Sequence, residues 1–255
     1  MNIDRWGEVG RELIDLSRQL GAEHRDLAIL GEGNTSARLG EETFLVKASG
    51  SHLGTLSEAD LVECRFEPLL ELMGRDGVGD AAVDAALMSC RVDPEAKRPS
   101  VEALFHAYLL SLPGIRFVGH THPVAVNAIL CSARAEEFAK RRIFPDEIVC
   151  CGPESVLVPY SDPGVWLAQA MREGVESYGM RNGGVPRVIL LKNHGLVSLG
   201  GSVPSVWAGT AMAVKAARIF AGAMALGGPD FLDASVVERI GSRSDEHYRQ
   251  RALRL

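Results

Sequence analysis

Residues 116–130 read RFVGHTHPVAVNAIL, a short apolar run ending in two histidines one residue apart, then a proline and a second apolar stretch. Side chains on a strand alternate between faces, so a strand here sends His120 and His122 to one side and Thr121 to the other. Two imidazoles so placed can reach one ion. A third candidate stands far along the chain in LLKNHGLVSLG (190–200), where His194 closes another apolar strand and Gly195 lets the backbone turn or approach a ligand closely. Three imidazoles with an open fourth position are the donor set of a catalytic zinc site. Against this stands the everyday role of histidine as a polar residue at a strand end.

Just before that strand lies RPSVEALFHAYLLSLPG (98–114), with Pro99 and Ser100 as a helix start and Pro113-Gly114 as a stop. Glu102 on this helix is a plausible carboxylate at a metal. His106 follows four residues later on the same helix face, but its neighbours Leu104, Phe105 and Tyr108 make it a structural histidine.

Further out, the spacing predicts an opening amphipathic helix over 3–20 and a β-hairpin from TSARL and TFLVKAS around Gly40. A helix follows at 81–91. Beyond the histidine strand come a helix at 124–142, strands near 147–158, a helix at 165–178, the strand RVILLKNHG and a helix at 204–226. No long linker interrupts the series, so the expectation is one α/β domain over residues 1–255. Its polar tail, from about 229, packs on a neighbouring subunit or frays.

The 255 residues carry a net charge of −6, with 46% hydrophobic and 24% charged residues, which argues against nucleic-acid and membrane partners. The one basic cluster, Lys140, Arg141 and Arg142, reads as a solvated helix end. Five cysteines without a CxxC pair read as buried thiols in a reducing compartment. The N-terminus shows no signal-peptide pattern, and the most apolar late stretch is broken by Lys215 and Arg218. A cytoplasmic protein is expected.

Three patches of small residues, GEGNTS (31–36), KASGS (47–51) and Pro99-Ser100, offer backbone amides of the kind that bind anions. Each alone is an ordinary turn or cap. Together near a metal they would matter.

In order, GNTSAR, KASG, RPSVEALFH, GHTHP and KNHG resemble the class II aldolase/adducin family, zinc-dependent sugar-phosphate aldolases typified by fuculose-phosphate aldolase. The likeness runs from about residue 10 to 225. Residues 33–63 also look like the aldolase portion of bifunctional rhamnulose-phosphate aldolase/dehydrogenases, without the dehydrogenase half. The resemblance implies a three-layer αβα sandwich with a largely antiparallel central sheet, and a homotetramer with active sites between subunits. It implies Zn2+ on His120, His122 and His194, with Glu102 as catalytic acid/base. It also implies that Asn34, Ser49, Gly50 and Ser100 hold a substrate phosphate.

The fuculose-type pattern has two consecutive serines before the glutamate; here Ser100 is followed by Val101, so the substrate is expected to be held differently or to carry no phosphate. The implied reaction makes or breaks a C–C bond in a ketose, through an enediolate whose charge the metal stabilises. The rivals are a zinc-dependent sugar-phosphate dehydratase, an epimerase, which typically has aspartate in place of Glu102, and an adducin-like interaction module lacking the ligands. Relatives use a proton-donating tyrosine from a neighbouring chain; no motif aligns Tyr248 with it.

Overall fold

A seven-stranded sheet organises the chain in a computed structural model that describes residues 5–75, 77–245, 248 and 252. The first half supplies α1 (Gly7–Leu20), β1 (Asn34–Arg38), β2 (Thr43–Lys47), β3 (Leu61–Arg65), α2 (Glu67–Met73), α3 (Asp80–Ser89), α4 (Ala103–Ser111) and β4 (Phe117–Thr121). The second supplies α5 (Val124–Leu130), α6 (Ala135–Lys140), α7 (Pro145–Cys151), β5 (Val156–Val158), α8 (Val165–Asn182), β6 (Val188–Leu191), β7 (Gly195–Gly200), α9 (Val203–Met224) and α10 (Ala234–Gly241).

The strand order is β3-β2-β1-β4-β7-β6-β5, and every pairing is antiparallel except β5 on β6. Alternation along the strands divides the core in two. Phe44, Val46, Val118, Ile189 and Val197 face one way, onto α2, α3, α4 and α8. Leu45, Phe117, Leu190 and Leu196 face the other, onto α1, α5, α7 and α9. This is the expected three-layer αβα arrangement. Among the described residues no helix is long and apolar enough to cross a membrane.

Several expected elements are shifted, each for a local reason. The helix expected at 124–142 breaks into α5 and α6. At the break Ser132 Oγ donates to Ile129 O (2.7 Å) and accepts from the Arg134 amide (3.1 Å), so one hydroxyl serves the end of one helix and the approach to the next. The strands expected near 147–158 are mostly α7, with only Val156–Val158 extended. Pro145 opens α7, Glu147 accepts the Ile143 amide at 2.9 Å, and Gly152 ends it at φ 84°. The expected helix start at Pro99 is instead a bridge to Ala48, and α4 begins at Ala103 with Glu102 as its N-cap. The RVILLKNHG strand is half of a hairpin: β6 turns through Asn193, at φ 57°, into β7. Part of the tail, as α10, packs on α7 of its own chain. Tyr248 is exposed.

Two surface readings are corrected. Cys131 is exposed, while the other four cysteines are buried thiols. Lys140 and Arg141 are exposed as expected, but Arg142 is only 1% exposed. Its guanidinium donates to Gly152 O (2.8 Å) and Ser155 Oγ (3.0 Å) and lies 3.7 Å from Glu147 Oε1. Burial pushes the Glu147 carboxyl up, and Arg142 pulls it back down. Arg142→Ala strands that carboxylate inside the protein and should cost about 3–5 kcal/mol. Urea unfolding measures this; a loss under about 1 kcal/mol, the range of an exposed pair, would contradict the buried role.

Candidate metal centre

Three strands bring the site together. β1 pairs with β4 so that Asn34 lies opposite His120, and β4 pairs with β7 so that Thr121 lies opposite Leu196. The β6–β7 turn carries His194, whose backbone carbonyl accepts from Asn127 Nδ2 at 2.9 Å. The expected convergence is present: ligand atoms of His120, His122 and His194 all lie within 4.8 Å of one another. Gly195 is dictated by the adjacent strand and two of these rings, because a Cβ there would meet Thr121 O at 2.6 Å, His122 Cδ2 at 2.7 Å and His120 Cε1 at 3.0 Å.

The tautomers suit a cation. His120 Nδ1–H donates to Leu196 O (3.0 Å), and His122 Nδ1–H to the Glu32 carboxylate (3.1 Å). Both Nε2 atoms then present lone pairs, 2.9 Å apart. Nitrogens so arranged repel unless a positive ion stands before them, and neutral imidazole is the form that binds one. Burial holds the His120 pKa well below the usual value, and the neighbouring histidines add to this. His194 is lowered by burial too, against an opposing pull from Glu102. The donor set therefore fits a divalent metal such as zinc.

Glu102 reaches the same point from α4, with Oε1 3.3 Å from His194 Nε2 and Oε2 3.5 Å from His120 Nε2. Asn34 Nδ2 donates to Glu102 Oε2 at 2.5 Å and lies 3.3 Å from Ser100 Oγ, which also accepts the Glu102 amide. So Asn34 and Ser100 sit with the histidines and the glutamate. His106 is not among the candidate ligands: it is fully buried, bonded to Ser36 Oγ and Asn34 Oδ1, and burial drives its pKa well below the usual value.

Ser49 and Gly50 lie on the neighbouring exposed turn after β2, Gly50 at φ 78°. Ser49 N–H donates to Arg98 O (2.9 Å) and Ser100 N–H to Lys47 O (3.4 Å), which stitches this turn to the Pro99-Ser100 segment. Lys47 joins the third patch. Its buried ammonium donates to Gly31 O (3.1 Å) and Ser51 O (2.5 Å), and burial lowers its pKa against the pull of Glu102 and Asp60. The three small-residue stretches therefore meet beside the histidines.

Lys47 and Glu32 carry roles that sequence reasoning did not give them. Glu32 also accepts the Ile29 amide at 2.7 Å, which braces it against His122. A cleft of about 460 Å³ opens beside His122 and Glu32, with Ile29 and Val124 exposed along it.

Residues 11–221 match the family model described as Class II Aldolase and Adducin N-terminal domain. The chain is 32% identical over 197 residues to an uncharacterized oxidoreductase of Bacillus subtilis, YuxG, covering 74% of this chain but only 26% of that protein. It is 25% identical over 209 residues to a 3-oxo-tetronate 4-phosphate decarboxylase of Haemophilus influenzae, covering 81% of this chain and 85% of that one. Among solved structures, the N-terminal class II aldolase domain of a Thermoplasma acidophilum protein superposes with a TM-score of 0.68 at 28% identity, covering 86% of this chain and 98% of the other. An L-fuculose 1-phosphate aldolase shares the fold with a TM-score of 0.68 at 18% identity, covering 95% and 96%.

Glu32→Gln tests the support of His122. The amide would offer a hydrogen to Nδ1 and move the ring proton to Nε2, the atom aimed at the ion. Zinc affinity, measured by competition with a chromophoric chelator, should fall about 10- to 100-fold. Unchanged affinity would show that Glu32 does not orient the ligand.

Proposed function

This chain belongs to the class II aldolase and adducin family, and on that premise we propose that it is a zinc-dependent aldolase acting on a phosphorylated ketose. The observation that carries this reading is a carboxylate, Glu102, facing two of three convergent imidazoles while a buried amide holds one of its oxygens. His120, His122 and His194 would hold the ion. When bound, it supplies positive charge against the negative charge that builds on the substrate's carbonyl oxygen as the adjacent C–C bond breaks.

Glu102 does the proton work. Its carboxylate takes the proton from the hydroxyl whose carbon leaves as an aldehyde, or returns one to the carbon left behind. Asn34 spends its amide hydrogens on Glu102 and Ser100, so its part in anion binding is indirect. Ser100 Oγ accepts from the Asn34 side chain and the Glu102 amide, which leaves its own hydrogen for a substrate oxygen. With Ser49 and the Gly50 turn it forms the anion site, one hydroxyl short because Val101 follows Ser100. The family resemblance supports a homotetramer, and the free thiols support a cytoplasmic setting.

The Haemophilus influenzae relative favours a second reading, decarboxylation of a 3-oxo acid phosphate. Loss of carbon dioxide leaves charge on the same oxygen, so the same residues serve. A screen of ketose 1-phosphates, their unphosphorylated forms and 3-oxo acid phosphates, with zinc present, separates the readings by product. Aldehyde release supports the aldolase; carbon dioxide, water loss or an unbroken epimer would replace it with decarboxylase, dehydratase or epimerase. Glu102→Gln should keep one zinc per chain and lose about 10²- to 10⁴-fold in turnover. Undiminished turnover would remove Glu102 from its role.

A further inference from the structure

We propose that His106 is a positioning residue: by donating to the Asn34 carbonyl it keeps that amide turned toward Glu102, and so helps hold Glu102 in place. The inference rests on the reading of Glu102 as the acid/base.

β1 puts Asn34 and Ser36 two residues apart on one face of the sheet, the face onto which α4 packs. His106 lies one helical turn beyond Glu102, its amide donating to Glu102 O at 3.2 Å. The imidazole lies nearly flat on Phe105, with centroids 4.6 Å apart and planes at 23°. It spans both β1 side chains: Nδ1 meets Ser36 Oγ at 2.6 Å, and Nε2 meets Asn34 Oδ1.

The polarity of this chain of bonds is determined from its far end. An ionised Glu102 only accepts, so Asn34 must turn its NH2 toward it and its carbonyl toward His106. The hydrogen that meets this carbonyl is therefore on Nε2. A neutral imidazole carries one N–H, so Nδ1 accepts, and Ser36 donates to it. Rotating the amide by half a turn would press Oδ1 against the carboxylate and NH2 against an N–H. A side-chain amide has little intrinsic preference between these orientations; the Glu102 carboxylate selects one, and the His106 N–H on the carbonyl side locks it against rotation. Both ring nitrogens are thereby occupied, which sets His106 apart from the three convergent histidines.

The test compares wild-type enzyme with His106→Phe, His106→Gln and Ser36→Ala, each loaded with zinc. Phenylalanine keeps the ring against Phe105 but offers no hydrogen, whereas glutamine can place an N–H near the Nε2 position. Crystal structures of the loaded proteins should retain the Asn34–Glu102 bond in wild type and His106→Gln and lose it in His106→Phe. The Phe variant should keep its zinc and its KM while kcat falls about 10- to 100-fold, and Gln should recover most of the loss.

Should the Phe variant fail to fold, Ser36→Ala carries the test. It frees the ring to change tautomer and should lower kcat by a smaller factor with a weakened Asn34–Glu102 bond. An intact bond with unchanged kcat, in either variant, would overturn the inference, as would a Gln variant no better than Phe. If wild-type enzyme turns over no ketose while the bond is lost with Phe and kept with Gln, the positioning role stands and the acid/base reading falls.

Discussion

Two imidazole nitrogens 2.9 Å apart, each with the other nitrogen of its ring already donating, form an arrangement that repels itself unless a cation stands before it. The rest of the site is organised around that demand. His194 brings a third imidazole to the same point, Glu102 lies within 3.5 Å of two of the rings, and Gly195 exists as glycine because the Thr121 carbonyl and two of the rings occupy the space a side chain would need. Removing any of these would leave the others in a geometry with no purpose of its own.

What keeps the nitrogens together is the sheet. Its two faces are buried against separate helical layers, so a one-residue slip of β1 on β4 would turn every core side chain of β1 to the wrong layer. The same slip would replace Asn34 with Thr35 beside His120 and take the amide away from Glu102. Apolar packing thus enforces a register whose chemical product is a polar cluster. Ordinary burial of Val46, Val118 and Val197 on one side and Leu45 and Phe117 on the other supports the chemistry at the strand ends.

The convergent histidines were legible as candidate ligands because their signal is local and periodic: His-x-His on an apolar strand, and histidine before glycine at a second strand end. Glu102 was legible from its neighbours in sequence, and the αβα fold through the family that the motifs resemble. Helix ends were less so. Whether 145–151 is strand or helix turns on Pro145 and on Glu147 reaching back to the Ile143 amide, which an apolar IVCC run does not reveal. Arg142 stood in a basic cluster, and only the fold shows the carbonyl of Gly152 and the hydroxyl of Ser155 waiting for it. Glu32 and Lys47 act through partners 90 and 16 residues away, a relation no window of sequence contains. His106 was legible as a buried histidine, but its partners Ser36 and Asn34 were not.

The central claim is that these three imidazoles bind one divalent ion together. Zinc K-edge X-ray absorption on protein loaded with a single equivalent of zinc reads the ligands directly. The account predicts three imidazole nitrogens at about 2.0–2.1 Å, with the remaining coordination from oxygen. A sulfur shell near about 2.3 Å, or a spectrum with no imidazole scattering, would place the ion elsewhere and contradict it.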